Sequence, residues 1–255
     1  MKIQAISAAL AITILAMAGC RGGGPGKETE AANDTISVPD TGYTGIKQYT
    51  SGNRIIRETS FKNGVRDGLS KTFYSGGQLY QTFWYENGLR QDSSRYYYLE
   101  GQLFRTTPYR NDTIHGIQKQ YYRTGELKAK IGYDRGMRTP FLEEYSHRGV
   151  LIKEYPEIVA VISDEYSTKG LYRITLELSD QGKRVKFNTG EFINQRFDTA
   201  YVKPLNTTDG RAVINLKKSA QAGKDYLGII AEITTPFGNR LLAFKRIDLP
   251  YNDLN

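Results

Sequence analysis

Apolar and polar residues alternate in short segments through the middle of the chain, and small turn-forming residues separate these segments. Lys71–Tyr74 and Leu79–Tyr85 are two examples, both rich in Tyr, Phe and Thr. Alternation with a period of two is typical of a β-strand, and Gly-containing pairs between such segments favour tight hairpins. The pattern therefore predicts an antiparallel meander.

The meander is periodic, because the same residue types recur every 24 positions. Three columns share one phase: Gly77, Gly101, Gly125 and Gly149; Leu79, Leu103, Leu127 and Leu151; and Phe61, Tyr85, Tyr109 and Tyr133. A fixed period of this length indicates an array in which each supersecondary unit packs on the next. We therefore expect an elongated repeat array over residues 45–155.

Each unit contains two turns. The first is Asn-Gly or a variant of it, as in Asn63-Gly64, Asn87-Gly88, Asn111-Asp112 and Arg135-Gly136. Asn-Gly favours a type I′ turn, in which both central residues have positive φ. The second turn centres on Gly76-Gly77, Glu100-Gly101, Thr124-Gly125 and Arg148-Gly149. Two central residues are expected in both turns.

These residues resemble the bacterial variant of the MORN repeat. The family pattern is matched by Phe61, Asn63-Gly64, Gly68, Phe73-Tyr74, Gly77 and Leu79. The resemblance implies a curved antiparallel sheet that serves protein or membrane interaction, and many bacterial relatives are labelled antitoxins. Asp92 and Pro140 stand where the pattern has its second glycine, and Pro140 is expected to weaken the last strand pairing because it cannot donate to the ladder.

Strand parity assigns the two faces of the sheet. Leu79, Phe83 and Tyr85 are expected on one face, together with Tyr74. The other face is expected to carry a basic and aromatic stripe, whose candidate partner-binding residues are Lys71, Phe73, Trp84, Arg95, Tyr97, Lys119 and Tyr121. Such a stripe suits cation-π contacts or stacking on flat ligands. The alternative is that long basic stems only cover the rings.

The 24-residue period stops near Tyr155-Pro156, and a different pattern follows. Short alternating segments such as Leu171–Leu178 and Ala212–Leu216 are separated by turns. This pattern predicts a small β-sandwich over residues 156–255. An immunoglobulin-like topology and other all-β folds remain open, so the predicted fold class is all-β.

The N-terminus resembles a bacterial lipoprotein signal. A Lys and an apolar run lead to Leu15-Ala16-Met17-Ala18-Gly19-Cys20, so residues 1–19 are expected to be a signal peptide and Cys20 the site of lipid attachment. Cys20 is the single cysteine of the chain, which excludes an intramolecular disulfide. Residues 20–44 have a composition too polar to fold and are expected to form a flexible tether. Arg21 after the cysteine favours an outer-membrane location.

Most of the positive charge lies in the array. Residues 45–155 contain 18 Lys and Arg against 11 Asp and Glu, a large part of the total net charge of +8. A basic surface favours anionic partners. For an exported, membrane-anchored chain we expect a protein partner or an anionic envelope component rather than nucleic acid.

The sequence contains no nucleophile motif, and its two histidines, His115 and His147, have no ligand-spaced neighbours. No catalytic residue, metal site or cofactor is therefore predicted. The leading hypothesis is a non-enzymatic interaction scaffold anchored in the cell envelope. The alternatives are a glycan-binding surface lipoprotein and an immunity protein against a toxin that acts in the envelope.

Overall fold

A computed structural model describes residues 42–255. The predicted signal peptide, Cys20 and most of the predicted tether lie outside the described residues. The described chain is nearly all β, which confirms the predicted fold class.

The repeat region forms one antiparallel sheet of ten strands. Its strands are β1 (Gly45–Ser51), β2 (Arg54–Lys62), β3 (Val65–Phe73), β4 (Leu79–Glu86), β5 (Leu89–Tyr97), β6 (Leu103–Arg110), β7 (Thr113–Ile114), β8 (Gly116–Tyr121), β9 (Leu127–Asp134) and β10 (Met137–Glu144). The strands follow one another across the sheet in chain order, except that the short β7 pairs only with β6 and β8 also pairs with β6.

The first turn of each unit matches its prediction. Lys62 faces Val65 and Glu86 faces Leu89, so two residues separate the strands. Both central residues have positive φ in every copy, for example 52° and 79° at Asn63-Gly64. These are the values that a type I′ turn requires.

The second turn is longer than predicted. The Tyr74 N–H donates to the Gln78 carbonyl at 2.8 Å, so three residues rather than two form the loop. Gly77 takes the left-handed position of that loop, with φ 87°. A register break beside Phe73 compensates for the extra residue, and Thr72 faces Gln81 as the two-residue turn would have placed it. The middles of the strands therefore keep the predicted register.

The two departures from the repeat pattern both lie where the register of the first hairpin breaks. Asp92 adopts φ 54° and takes the place of the glycine without interrupting β5. Pro140 lies inside a break in the β9–β10 register, between Arg138 and Leu142. The β2–β3 and β4–β5 pairs break register at the equivalent position, so this break belongs to the repeat, and the weakening by Pro140 stays a prediction.

Two four-stranded sheets follow the array and share one apolar core. Their strands are β11 (Ile158–Glu165), β12 (Leu171–Leu178), β13 (Val185–Thr189), β14 (Lys203–Pro204), β15 (Thr207–Thr208), β16 (Arg211–Lys217), β17 (Tyr226–Thr234) and β18 (Arg240–Asp248), with a single helical turn, α1 (Tyr166–Lys169), after β11. One sheet has the order β11-β12-β16-β15 and the other β14-β13-β17-β18. In chain order these are the A-B-E-D and C′-C-F-G sheets of an immunoglobulin-type sandwich.

The two parts of the chain are stabilised differently. Ile174, Leu176 and Phe187 of the sandwich are almost fully buried between its sheets. The array is a single layer, and several of its best-buried side chains are small and polar, such as Ser94 and Thr107. Most of the apolar core therefore lies in the sandwich, and the array relies on its strand ladders and on contacts between side chains.

Candidate interaction surface

The cations of the predicted stripe lie in one row across the sheet. Lys71 faces Thr82, which faces Arg95 on the next strand. Arg95 faces Thr106, which in turn faces Lys119. Directly opposed residues share a face of a sheet. Because neighbouring strands are about 4.8 Å apart, Lys71, Arg95 and Lys119 form a basic row with a repeat of about 10 Å.

The positive charge of the basic row is most available at Arg95 and Lys119. The Lys71 ammonium lies 3.7 Å from the Glu58 carboxylate. Arg95 and Lys119 are exposed, and within residues 42–255 no salt bridge or side-chain hydrogen bond engages either of them. A large anionic partner could therefore approach these two cations without displacing an acidic side chain.

The line of the basic row continues onto β9 and β10 as a neutralised pair. Lys130 Nζ lies 2.9 Å from Glu143 Oε2, and the Tyr145 hydroxyl donates to the same oxygen at 2.7 Å. Hydrogen bonds from Tyr145 and Lys130 lower the pKa of Glu143, and hydrogen bonds to Glu143 and Tyr145 raise the pKa of Lys130. Both groups therefore stay charged over a wide pH range, and they cancel one another.

Exposed apolar side chains run beside the basic row. Leu69 faces Trp84, and these side chains are 36% and 42% exposed. Ile117 lies two residues from Lys119 on β8, hence on the same face, and is 39% exposed. We call the basic row together with Leu69, Trp84 and Ile117 the open face of the array.

The three predicted aromatic residues next to the cations are less accessible. Phe73, Tyr97 and Tyr121 lie two residues beyond the cations of the basic row, where the register of each hairpin breaks, and they are half-buried. The structure thus places the cations and Trp84 on one accessible surface, and it places these three rings at its margin.

The cation-π contacts of the array lie mainly on the opposite face and use other cations. Arg66 lies 4.6 Å from the centre of the Tyr85 ring, and Arg90 lies 4.5 Å from that of Tyr109. Arg105 lies 4.4 Å from the Tyr96 ring. Each of these arginines faces an aromatic residue on a neighbouring strand. Along each strand, these positions alternate with the positions that belong to the open face. We call this side the arginine face.

The sequence contained a signal for the arginine face that the parity argument did not use. Arg66 and Arg90 are 24 residues apart, as are Tyr85 and Tyr109. Arg90 also donates to Asp112 at 2.7 Å across the neighbouring turn. Partial burial raises the pKa of Asp112, but the hydrogen bonds from Arg90 outweigh it, and the net shift is downward.

Tyrosine hydroxyls join each repeat unit to the next. The Tyr74 hydroxyl donates to the Tyr97 carbonyl at 2.7 Å, and Tyr98 donates to the Tyr121 carbonyl at 3.0 Å. Tyr122 repeats the contact with the Tyr145 carbonyl at 2.7 Å. Donors and acceptors recur with the repeat, so this tyrosine ladder is a property of the unit.

A buried carboxylate joins the array to the sandwich. Glu144, at the end of β10, is fully buried. Its carboxylate accepts hydrogen bonds from the Thr235 hydroxyl at 2.8 Å, the Asn239 amide at 2.7 Å and the Tyr155 hydroxyl at 3.2 Å. Burial, together with the nearby charge of Glu144, raises the pKa of Tyr155. Three neutral donors therefore hold a carboxyl group that no solvent reaches.

The sandwich covers the arginine face at the end of the array. The Phe197 N–H donates to the Arg138 carbonyl at 2.8 Å, and the Arg138 side chain donates to the Arg240 carbonyl at 2.6 Å. Glu144 is on the same face of β10, since it lies six residues further along the chain and faces Ala129. The open face is on the other side of the sheet and is not involved in these contacts.

The remaining candidate chemistry does not assemble into a site in the described chain. His115 Nδ1 lies 3.1 Å from an Asp134 oxygen, and the His147 ring stacks on Tyr122. Across residues 42–255 no group of three or more His, Cys, Asp or Glu side chains could hold a metal ion. The predicted lipid-attachment residue, Cys20, lies outside the described residues.

No protein-family model matches the chain, and no curated protein is significantly similar to it. In the described part of the chain, no helix is both long enough and apolar enough to cross a membrane. The resemblance to MORN repeats therefore continues to depend on the motif residues given above.

Proposed function

We propose that this chain is a non-enzymatic, membrane-anchored protein of the cell envelope that binds a partner through the open face of its repeat array. The observation that carries the proposal is the register that aligns Lys71, Arg95 and Lys119 in one row. Exposed Trp84 and Leu69 lie beside that row. Cations interspersed with apolar side chains suit an anionic protein or envelope component, and an acylated Cys20 would hold the array at the membrane.

The arginine face is a weaker candidate for the binding surface. Its rings are covered by the guanidinium groups of Arg66, Arg90 and Arg105. At β9 and β10 the sandwich also lies against it, through Arg138 and Glu144. A ligand there would have to displace contacts that already stabilise the fold.

The test is capture of partners from detergent-solubilised membranes by the full-length protein. The triple variant Lys71→Glu, Arg95→Glu, Lys119→Glu reverses the basic row. The control variant Lys62→Glu, Arg110→Glu, Arg148→Glu makes the same change in charge at exposed positions near the turns. We expect the first variant to lose the partner and the control to keep it, and added salt to weaken wild-type binding because exposed charges are screened. Equal capture by both variants would contradict the proposal.

A glycan ligand is the second candidate, and the exposure of Trp84 favours it. Trp84 is 42% exposed on the open face, and an indole ring can stack on a sugar. Trp84→Ala should then abolish binding to envelope glycans while the charge-reversal variant retains it. The opposite result supports the anionic partner.

A further inference from the structure

Strand β11 forms an open edge of the sandwich. It pairs with β12 from Ile158 to Glu165 without a break in register, and it has no strand on its other side. Val161 is 51% exposed and Ile162 is 41% exposed. A long, regular and apolar edge strand is a template for pairing with another strand.

Other edges of the described sheets carry features that discourage such pairing. Strands β14 and β15 have two residues each. Strand β1 contains Lys47 and a register break between Tyr49 and Thr50. The stretch Ile158–Ser163 of β11 has no charged residue, no proline and no bulge. The exposed edge of β11 is therefore unlike these edges.

The backbone of β11 shows which groups face outward. The Glu157 carbonyl accepts a hydrogen bond from the Ser179 N–H at 2.9 Å. In an antiparallel pair the residues that exchange hydrogen bonds alternate along the strand. The N–H and C=O groups of Ile158, Ala160 and Ile162 consequently point away from β12, toward the open edge.

The sequence of this edge is palindromic: Ile158-Val159-Ala160-Val161-Ile162 has the same order in both directions. We propose that β11 pairs antiparallel with β11 of a second copy of this chain, with the two-fold axis at Ala160. Ile158 then faces Ile162 of the second copy, and Val159 faces Val161. The sheet that contains β11 in one copy and the same sheet in the second copy then form one continuous sheet through an isologous contact.

Charge selects this register over its neighbour. Centred on Ala160, the pairing places Glu157 opposite Ser163 and Asp164 opposite Pro156 of the second copy, so no like charges meet. Centred on Val161, it would place Glu157 opposite Glu165, and like charges directly opposite each other destabilise a sheet.

The first test compares Ile162→Lys with Ile193→Lys in the full-length protein in detergent. Ile193 is 37% exposed and lies in the loop after β13, so it makes a matched control for Ile162. A lysine at 162 would face Ile158 of the second copy. By sedimentation we expect dimers for the wild type and for Ile193→Lys, and monomers for Ile162→Lys. A monomeric wild type, or a dimeric Ile162→Lys, would overturn the proposal.

A second measurement guards against misfolding of the lysine variant and reports the register. Val159 and Val161 face each other across the proposed contact in a non-hydrogen-bonded pair, whose Cα atoms are about 4.5 Å apart and suit a disulfide. The double variant Val159→Cys, Val161→Cys should cross-link into dimers on mild oxidation in membranes. The wild type, with Cys20 alone, should not. Cross-linking by Val161→Cys alone, or none by the double variant, contradicts the register.

Discussion

At the scale of single residues, Glu144 is a fully buried carboxyl group with three hydrogen-bond donors. A carboxyl group without solvent contact is stable only when hydrogen bonds replace its hydration. Thr235 and Asn239, in the β17–β18 turn, and Tyr155, in the linking segment, supply those bonds. This carboxylate therefore fixes how the array meets the sandwich.

Removal of this carboxylate should destabilise the whole protein. Glu144→Ala leaves two buried donors and one half-buried donor without an acceptor, and we expect a loss of about 3 kcal/mol or more in the free energy of unfolding. Denaturant unfolding measures the change. The exposed Glu154→Ala is the control and should lie within about 0.5 kcal/mol of the wild type. Similar losses in the two variants would disprove the assigned role of Glu144.

Tyr155 should make stability fall at alkaline pH. Burial and the nearby Glu144 raise its pKa in the folded state above the ordinary value of 10.0, so the folded state holds the proton more tightly than the unfolded state. The stabilisation is complete below pH 10 and is lost as pH rises above that value toward the folded-state pKa. In unfolding experiments above pH 10, Tyr155→Phe should lose stability less steeply than the wild type. Identical slopes would show that Tyr155 is not linked to folding.

At the scale of structural elements, the tyrosine ladder should contribute to cohesion between units. Tyr98→Phe removes one hydroxyl that donates to the Tyr121 carbonyl and keeps the ring, so we expect a loss of about 1 kcal/mol. Tyr97→Phe is the matched control, since the ladder uses its carbonyl and not its hydroxyl. Thermal unfolding distinguishes them, and equal melting temperatures for the two variants would count against the ladder.

Because each hairpin contacts chiefly its neighbours, one whole unit should be removable. Deletion of Leu79–Gln102, one period of the sequence, is expected to leave a cooperatively folding protein. Deletion of Leu79–Arg90, about half a unit, leaves an odd number of strands and reverses the direction in which the chain enters the sandwich. Calorimetry should show a single sharp transition only for the first deletion. Loss of that transition in both would argue against independent units.

The period and the turn residues made the order of strands in the array predictable. The left-handed Gly77 was visible in the sequence, but its three-residue loop was not, because a one-residue break beside Phe73 restores the register that a shorter turn would give. The contacts of Glu144 were not predictable either. Its partners Thr235 and Asn239 are about 90 residues away, and only the packing of the sandwich on β10 brings them together.

At the scale of the whole molecule, the sandwich covers only one of the two faces of the array at β9 and β10. The sandwich lies against the arginine face through Arg138 and Glu144, whereas the open face has no such cover. The proposed acyl anchor at Cys20 would hold this surface near a membrane. Labelled palmitate should enter the wild type, and Cys20→Ala should release the protein into the soluble fraction. Labelling that persists in Cys20→Ala would exclude this residue as the anchor.

The central claim is that the open face contacts the partner, and site-specific photocross-linking in intact cells tests it most directly. A photoreactive residue at Thr106 lies in the basic row between Arg95 and Lys119. The same residue at Gln81, which faces Thr72 and Tyr96, lies on the opposite side of the sheet. We predict a discrete cross-linked species from position 106 and none from position 81. Cross-links from position 81 alone, or equal yields from both positions, would contradict the account.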